Sequence, residues 1–224
     1  FVNSNLVGTA KILELVRKHN SRMVHVSTDE VYGHLGEKDP PFSEDSPLAP
    51  RSPYSSTKAG SDLLVQSYIT TFGIDASITR CCNNFGPRQG DEKLIPTVIR
   101  SIVQGNKVPV YGTGKNIREW IHAEDHAKAI IEVLLTGGEQ LYNIPGNLVC
   151  NNLDLIKKVI KEIEHQFPSF KRKKSDYIEL VSDRKGHDFK YQLSTKHNLS
   201  AVKRQKKFSL SQTVKYYINK YRPN

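Results

Sequence analysis

A short polar segment places a hydroxyl and two carboxyl groups side by side. Thr28, Asp29 and Glu30 directly follow an apolar run, residues 23–27, that has the length of a buried strand. In open α/β sheets, ligands bind beyond the carboxyl ends of the strands. Two adjacent carboxyls there can act as an acid and a base, with pKa values separated by mutual repulsion. A helix cap or a polar turn explains the same residues equally well.

A tyrosine and a lysine four residues apart form a second candidate. Tyr54 and Lys58 fall one turn apart on a predicted helix and share a face. The ammonium favours the phenolate, which lowers the pKa of the tyrosine and makes it a usable base. The same spacing recurs at 111–115 and 216–220. Only Tyr54 opens a helix that follows the strand with the carboxyls, and this context selects the pair.

The elements around these residues alternate between strand and helix. Helical spacing predicts helices over 5–19, 55–71, 93–104, 124–135, 152–165 and 209–221. Short apolar runs predict strands at 23–27, 75–80, 107–111, 177–181 and 189–193, with 142–150 as a loop. Such alternation is typical of an α/β fold with a parallel sheet covered on both faces. We expect a doubly wound sheet domain over 1–90 and a smaller mixed α/β lobe over 91–224, partly interleaved with it.

Composition and cysteine usage set the broad class. The 224 residues are 37% hydrophobic and 25% charged, which is ordinary for a globular chain. No apolar run approaches the ~20 residues of a membrane helix, so we expect no membrane partner. Three cysteines, two of them adjacent, fit neither a disulfide framework nor a metal site. A reducing, cytoplasmic compartment and no metal are therefore expected.

The basic excess raises a nucleic-acid hypothesis. Lysine and arginine outnumber aspartate and glutamate by 33 to 23, but much of the excess lies in two runs, 171–174 and 203–207. Neither run has the interleaved aromatics of a single-strand binder or lies in a helix-turn-helix. Solvated loops or helix ends explain them more simply, and a small anionic substrate also suits a basic protein. We expect no nucleic-acid partner.

The sequence contains no glycine motif of a phosphate-binding loop. Residues 112–115 lack the GxxxxGK[ST] spacing and are predicted as a turn. No GxGxxG occurs, so the usual pyrophosphate cradle is not among these residues. The chain begins at Phe1, and a helical pattern runs within five residues, which indicates a start inside a domain.

Six segments resemble the extended short-chain dehydrogenase/reductase family, and within it the dTDP-glucose 4,6-dehydratases. In chain order they are VSTDEVYG (26–33), SPYSSTKAGSD (52–62), NNFGPRQGDEKLIP (83–96), VYGTGKNIREWIHAEDHA (110–127), YNIPG (142–146) and DRKGHD (183–188). The first is the most specific, because related epimerases and decarboxylases place other residues where Asp29 and Glu30 stand. The resemblance implies a Rossmann-type NAD-binding domain whose N-terminal part is missing from this chain.

The resemblance also implies a reaction, the dehydration of dTDP-glucose to its 4-keto-6-deoxy product. Tyr54, activated by Lys58, takes the proton of the C4 hydroxyl while hydride passes to NAD⁺. Thr28 hydrogen-bonds the C4 oxygen. Glu30 then removes the C5 proton and Asp29 protonates the departing C6 hydroxyl, after which hydride returns to C6.

Binding residues follow from the same resemblance. On the cofactor side they are Ser27, Tyr54, Lys58 and Asn84. For the nucleotide sugar, besides Thr28, they are Asn83, Lys93, Leu94, Pro109, Tyr111, Arg118, Asn152, Arg184 and His187. The planar fork of arginine suits phosphate oxygens. Taken singly, each arginine is explained as well by a surface salt bridge, and His187 by an ordinary loop histidine.

Further features bear on assembly and on departures from the family. The helices over 5–19 and after Tyr54 resemble the pair that forms a four-helix bundle in family homodimers, although an apolar helix face serves an intramolecular core equally. Lys185 stands where the family usually has proline, and Phe85 where tyrosine is common.

Alternative functions stay open at this point. A UDP-glucose 4,6-dehydratase shares the Thr-Asp-Glu arrangement. A catalytically incomplete fragment that binds sugar nucleotides without turnover fits the missing cofactor cradle. A basic nucleic-acid binder ranks last, and an epimerase has no need of Asp29 and Glu30 as an elimination pair.

Overall fold

The computed structural model describes residues 1–170, 177–183, 186–206 and 208–222. The helices are α1 (Gly8–His19), α2 (Pro53–Phe72), α3 (Leu94–Val103), α4 (Ala123–Thr136), α5 (Asn152–Gln166), α6 (Ser200–Lys203) and α7 (Ser211–Tyr221). The strands are β1 (Met23–Thr28), β2 (Ala76–Cys81), β3 (Asn83–Phe85), β4 (Val108–Tyr111), β5 (Ile117–His122), β6 (Leu141–Ile144), β7 (Leu148–Asn151) and β8 (Ile178–Val181). Single turns of π-helix (Val2–Val7) and 3₁₀ helix (Asp29–Tyr32, Pro168–Phe170) complete the elements. Arg184 and Lys185 lie outside the described residues.

A parallel sheet of three strands, in the order β1-β2-β6, carries the first half of the molecule. Met23 of β1 packs in an apolar cluster with residues of α1 and α2, whereas the next residue, Val24, packs beside Val133 of α4. Because neighbouring side chains of a strand point to opposite faces, the helices cover both faces of the sheet. The prediction of a doubly wound α/β sheet is confirmed. We call this sheet with α1, α2 and α4 the sheet half.

Local sequence signals explain why α2 begins just before Tyr54. Ser52 caps the helix, and its Oγ accepts a hydrogen bond from Ser55 N at 3.0 Å. Ser55 Oγ accepts in return from Ser52 N at 3.0 Å, which completes a capping box. Pro53 occupies the first turn, where its missing N–H costs nothing. Gly73, with φ of +64°, ends the helix in the left-handed conformation.

The second half, which we call the C-terminal lobe, is mixed. Strands β3, β5 and β7 form one small sheet, in which β3 is parallel and β7 antiparallel to β5, and β4 pairs with β8 in parallel. Helices α3, α5 and α7 enclose an apolar core that includes Ile95, Val98, Ile99, Leu155, Ile156, Val159, Val214, Tyr217 and Ile218. Strand β6 belongs to the first sheet although it follows β5 in the chain. The boundary at residue 90 itself stays a prediction.

Several sequence-based assignments of strands are wrong. Residues 142–150, predicted as a loop, contain most of β6 and β7. The predicted strand 189–193 forms isolated bridges to Leu35, Phe42 and Ile117 instead. Strands β3 and β5 were not predicted, because β3 has three residues and β5 mixes charged with apolar side chains. Pairing with distant segments, rather than local propensity, decides such short strands.

Membrane spans, metal clusters and disulfides are missing from the residues that the structure describes. Within these ranges, no helix is long and apolar enough to cross a bilayer. The same residues contain no group of three or more His, Cys, Asp or Glu side chains placed to hold a metal ion. Cys81, Cys82 and Cys150 are free thiols. Burial raises the pKa of the Cys81 thiol to about 12, which makes it a poor nucleophile.

Candidate active site

Thr28 joins the end of β1 to the polar turn after it. It caps the 3₁₀ turn Asp29–Tyr32, and its Oγ1 accepts a hydrogen bond from Glu30 N at 3.3 Å. The same hydroxyl donates to Asp29 Oδ1 at 3.2 Å. The cap interpretation is therefore correct, and the cap holds the three candidate groups at the carboxyl end of the strand.

Asp29 has the electrostatics of a proton donor. The residue is 3% exposed. Burial, and next the negative charge of Glu30, raise the pKa of its carboxyl to about 7. The hydrogen bond from Thr28 and the charge of Arg118 oppose the shift. Oδ2 is buried and has no hydrogen-bond partner among the described residues. A carboxyl with this pKa is about half protonated at neutral pH, so it can give up a proton there.

Tyr54 lies in the first turn of α2, against the same carboxyls. Burial, followed by the charges of Glu30, Cys81 and Asp29, raises the pKa of its phenol to about 12. The ring of Phe1 packs edge-on against it, with centroids 5.4 Å apart. The structure therefore brings the Thr-Asp-Glu segment and the tyrosine, which are 24 residues or more apart in the chain, to one corner. We call these residues with Lys58 the catalytic corner.

Lys58 is held by the backbone of β1. Its Nζ donates to Val26 O at 2.7 Å, and burial lowers the pKa of its ammonium. The sequence analysis expected this lysine to lower the pKa of Tyr54. In this arrangement the pKa of the phenol is raised, because burial and the nearby negative charges dominate.

The remaining cofactor-side candidates, Ser27 and Asn84, differ in their surroundings. Ser27 Oγ is buried without a hydrogen-bond partner in the described part of the chain. Asn84 is fixed by its neighbours, since Nδ2 donates to Cys82 O at 3.2 Å and Oδ1 lies 2.9 Å from His126 Nδ1. Burial lowers the pKa of His126 to about 4, so the neutral ring donates this bond. The Asn84 amide is thus already committed within the protein.

The edge of β1 next to this corner is open. Among the described strands, β1 pairs with β2 alone. Val26 of β1 is 41% exposed and Ile12 of α1 is 50% exposed. A groove of about 560 Å³ follows this edge. An open strand edge of this kind can pair with another strand.

A separate cavity of about 240 Å³ lies in the C-terminal lobe. It is lined by eight of the residues predicted to bind the nucleotide sugar: Asn83, Lys93, Leu94, Pro109, Tyr111, Arg118, Asn152 and His187. These side chains come from β3, β4, β5, the start of α3, the start of α5 and the segment after β8. Thr28 belongs to the catalytic corner instead, and Arg184 falls outside the described residues. The structure thus brings together positions up to 104 residues apart in the chain.

Backbone contacts orient the charged wall of this cavity. Arg118 Nη1 donates to Ile117 O at 2.8 Å and Nη2 to Asp188 O at 2.9 Å. The Arg118 guanidinium also lies over the ring of Tyr191, with Cζ 4.5 Å from the centroid. His187 Nδ1 lies 2.7 Å from Asp183 Oδ1. Arg118 and His187 are therefore positioned by contacts within the protein.

Sequence reasoning missed several lining residues: Gln89, Glu92, Thr97, Val110, Trp120 and Ile156. Arg118 and Trp120 are two apart on β5 and share one of its faces. Recognising β5 as a strand would have revealed Trp120 through this period of two. Glu119, on the other face, is buried, and burial raises the pKa of its carboxyl to about 8. No local sequence signal marks that shift.

The catalytic corner and the cavity adjoin at Tyr191. Its ring carries the Arg118 guanidinium of the cavity wall. Burial, the hydrogen bond to Asp188 and the charge of Glu30 raise the pKa of its phenol. Tyr191 is therefore close both to the corner and to the cavity wall.

These features define a class of protein. A parallel, doubly wound sheet presents acid and base groups beyond a strand end, beside a cavity with lysine, arginine and amide side chains. This is the arrangement of Rossmann-type α/β proteins that bind small ligands at the carboxyl edge of the sheet. A family model described as GDP-mannose 4,6 dehydratase matches residues 1–215. The chain belongs to this family.

Individual relatives are similar over most of this chain. The low-salt glycan biosynthesis protein Agl12 of Haloferax volcanii is 45% identical over 194 residues, which are 85% of this chain and 59% of the relative. A dTDP-glucose 4,6-dehydratase of Mycolicibacterium smegmatis is 43% identical over 193 residues, which are 85% of this chain and 56% of the relative. The chain thus spans less than two thirds of these relatives. The resemblance to dTDP-glucose 4,6-dehydratases is confirmed.

A solved structure gives the same result. The dTDP-glucose 4,6-dehydratase DesIV of Streptomyces venezuelae, solved with NAD bound, superposes with a TM-score of 0.88 at 38% identity. The match covers 98% of this chain and 67% of that one. The fold assignment therefore rests on sequence and structure together.

Proposed function

We propose that the protein acts as an NAD-dependent nucleotide-sugar 4,6-dehydratase that converts dTDP-glucose to its 4-keto-6-deoxy product. The observation that carries this proposal is the convergence of Thr28, Asp29 and Glu30 with Tyr54 beside a basic cavity. Relatives and a structural neighbour named as dTDP-glucose 4,6-dehydratases support it.

The catalytic residues divide the proton transfers of an elimination. Tyr54 accepts the proton of the C4 hydroxyl, and Thr28 hydrogen-bonds the C4 oxygen. Glu30 removes the proton from C5, which a C4 ketone acidifies. Asp29 protonates the departing C6 hydroxyl, and its pKa of about 7 supports this role because the proton is available at neutral pH.

The cofactor-side residues fit NAD in part. When bound, NAD would supply the hydride acceptor for C4 and the hydride donor for C6. Ser27 has a buried hydroxyl without a partner among the described residues, and Lys58 faces the β1 edge. Tyr54 needs assistance to act as a base, since its pKa is about 12, and a Lys58 ammonium released from Val26 O can give it. The committed amide of Asn84 makes it a support for this side rather than a flexible ligand.

The cavity supplies the nucleotide-binding end. Lys93, Arg118 and His187 place cationic or hydrogen-bonding groups around a space suited to phosphate oxygens. Leu94, Pro109 and Tyr111 offer apolar contact for a base, and we assign Asn83 to the sugar. We assign Asn152 and Arg184 to the same end, and a division into a cofactor domain over 1–90 and a substrate lobe over 91–224.

Assembly and location belong to the same proposal. Helices α1 and α2 pack on each other and expose Leu15 and Leu63. A second copy packed on this pair would bury these side chains in a four-helix homodimer. Free, mostly buried cysteines suit the cytoplasm. Light scattering of the purified chain tests the dimer, and Leu63→Glu should yield monomers.

The decisive test compares two proteins. One is this chain, and the other is this chain preceded by the part of the Mycolicibacterium relative that comes before its match, which we call the extended protein. Each is given NAD⁺ with dTDP-glucose or UDP-glucose, and the 4-keto-6-deoxy product is measured. Product from dTDP-glucose supports the proposal. A preference for UDP-glucose would mean that UDP-glucose, and not dTDP-glucose, is the substrate. No product from either sugar in both proteins contradicts the activity.

Binding without turnover is the second candidate. The missing glycine motif favours it, because these residues alone contain no pyrophosphate cradle. Tight dTDP binding by calorimetry, with no product in the extended protein, would favour this candidate.

A further inference from the structure

One segment bonds to both halves of the molecule. Residues 186–194, which we call the connecting segment, run between the loop before α2 (residues 33–52) and the start of β5. On one side, Leu35 N and Phe42 N donate to its carbonyls at 3.0 and 2.9 Å. On the other, Ile117 N donates at 2.7 Å. The segment therefore fixes the loop before α2 relative to the cavity wall.

The Asp188 carboxylate is the charged centre of this segment, and the residue is 9% exposed. Its Oδ1 lies 3.2 Å from His34 Nδ1 and 3.4 Å from Arg51 Nε. Its Oδ2 accepts a hydrogen bond from the phenol of Tyr191. A buried carboxylate needs such partners. Removing either the carboxylate or its partners leaves polar groups without compensation.

The backbone of Asp188 faces the cavity. Its carbonyl accepts from Arg118 Nη2 at 2.9 Å and from Asn116 Nδ2 at 3.1 Å. The preceding residue, His187, lines the cavity itself. One residue thus contacts the arginine of the cavity wall with its main chain and the loop before α2 with its side chain.

The side-chain contacts lead directly to the catalytic corner. Arg51 immediately precedes Ser52, the N-cap of α2, and Tyr54 lies in the first turn of that helix. We propose that Asp188 is a positioning residue that sets the catalytic corner at a fixed distance from the nucleotide cavity. A nucleotide sugar held by its phosphates then presents its hexose to Tyr54 and Glu30. This inference rests on the proposed function.

The two ends of the ligand should respond differently when this link is broken. A nucleoside diphosphate occupies the cavity alone, whereas a nucleotide sugar must also reach the catalytic corner. Misplacement by ~1 Å can reduce turnover by ~100-fold. Loss of the link should therefore lower turnover while the affinity for dTDP stays nearly unchanged.

Asp188→Asn is the variant that tests this, because it keeps the shape and removes the charge. Asp45→Asn is the matched control, since Asp45 is exposed and its ion pair with Lys196, at 2.8 Å, also joins the loop before α2 to the C-terminal part of the chain. Arg51→Gln removes one partner on the catalytic side and serves if Asp188→Asn does not fold. Turnover is measured in this chain or, if only the extended protein is active, in the extended protein. The affinity for dTDP and the thermal unfolding of each variant are measured in the same protein.

We expect Asp188→Asn and Arg51→Gln to lower kcat by about tenfold or more while the Kd for dTDP changes by less than about twofold. Asp45→Asn should leave both close to wild type. Parallel losses of kcat and dTDP affinity, an unchanged kcat, or an equal effect of Asp45→Asn each overturn the inference.

A second readout separates this inference from the proposed activity. Hydrogen exchange is followed on this chain with and without dTDP, or with UDP if dTDP does not bind. Bound nucleotide should protect the amides of Leu35 and Phe42, and Asp188→Asn should abolish this protection while protection in β5 persists. If wild type makes no product yet shows this transmitted protection, the activity fails and the link stands. Protection that survives in Asp188→Asn, or no binding of either nucleotide, overturns the link.

Discussion

The core under the catalytic corner and the core between α3, α5 and α7 bury different kinds of side chain. Under the catalytic corner, Arg80 and Asp62 form a fully buried ion pair at 2.9 Å, and Arg80 also lies over the ring of Tyr32. The core between α3, α5 and α7 is instead built from aliphatic and aromatic residues. Apolar packing stabilises without directional demands, whereas buried charges are costly unless their geometry is satisfied. The charged core therefore lies beneath the residues that we propose to be catalytic, and the apolar core supplies stability without fixing directions.

The largest effect should come from the catalytic corner. Glu30→Gln should lower dehydration of dTDP-glucose by about 100- to 10,000-fold, because the C5 proton loses its base. Product formation is the measurement, and the melting temperature should stay near that of wild type. Wild-type release of water by this variant would show that Glu30 is not the base.

The buried ion pair should be the most sensitive point for stability. Arg80→Met should lower the free energy of unfolding by about 3–5 kcal/mol, because it leaves the Asp62 carboxylate buried without its partner. Urea denaturation measures this. The control is the double variant Arg80→Met with Asp62→Leu, which should recover much of the loss. If the single variant is as stable as wild type, the geometry of the buried ion pair does not affect the free energy of unfolding, and the contrast between the two cores fails.

Asp29 should make both the activity and the stability of the protein depend on pH. With a pKa of about 7, Asp29 loses its proton above that pH, so the activity of an enzyme that uses it as the proposed general acid should fall by about tenfold per pH unit on the alkaline side.

The same shift has a consequence for stability. The folded pKa lies above that of the unfolded chain, so the folded state binds more protons between about pH 4 and 7. The free energy of unfolding should therefore decrease as pH rises through this window. Asp29→Asn should flatten the slope while Glu119, with its raised pKa of about 8, keeps its own contribution. An unchanged slope would contradict the burial of an ionisable Asp29.

The smallest effect should be shared by both halves. Ile99→Val in the lobe and Ile78→Val in the sheet half each remove one methylene group from a fully buried site. Each should cost about 0.5–1.5 kcal/mol of unfolding free energy. Equal costs in urea denaturation would mean that the two cores differ only in the buried ion pair of Arg80 and Asp62. A much larger cost at Ile78 would mean that apolar packing differs as well.

Sequence by itself determined the local parts of the catalytic corner. Thr28 ends a short apolar run, and Ser52 with Pro53 starts α2 just before Tyr54, so caps and periodicity were sufficient. The family resemblance also predicted eight residues of the cavity, whose grouping the structure reproduces. Their roles in binding stay predictions.

Only the tertiary structure decided how these parts behave. Strands β3, β5 and β6 form through partners distant in the chain, so local propensity missed them. The pKa values of Asp29 and Tyr54 are raised chiefly by desolvation, which depends on residues that sequence spacing does not bring together. The hydrogen bond between Asn84 and His126 likewise joins side chains that are 42 residues apart. Asp188 illustrates the same limit, because a single aspartate in a loop joins both halves only after the chain has folded around it.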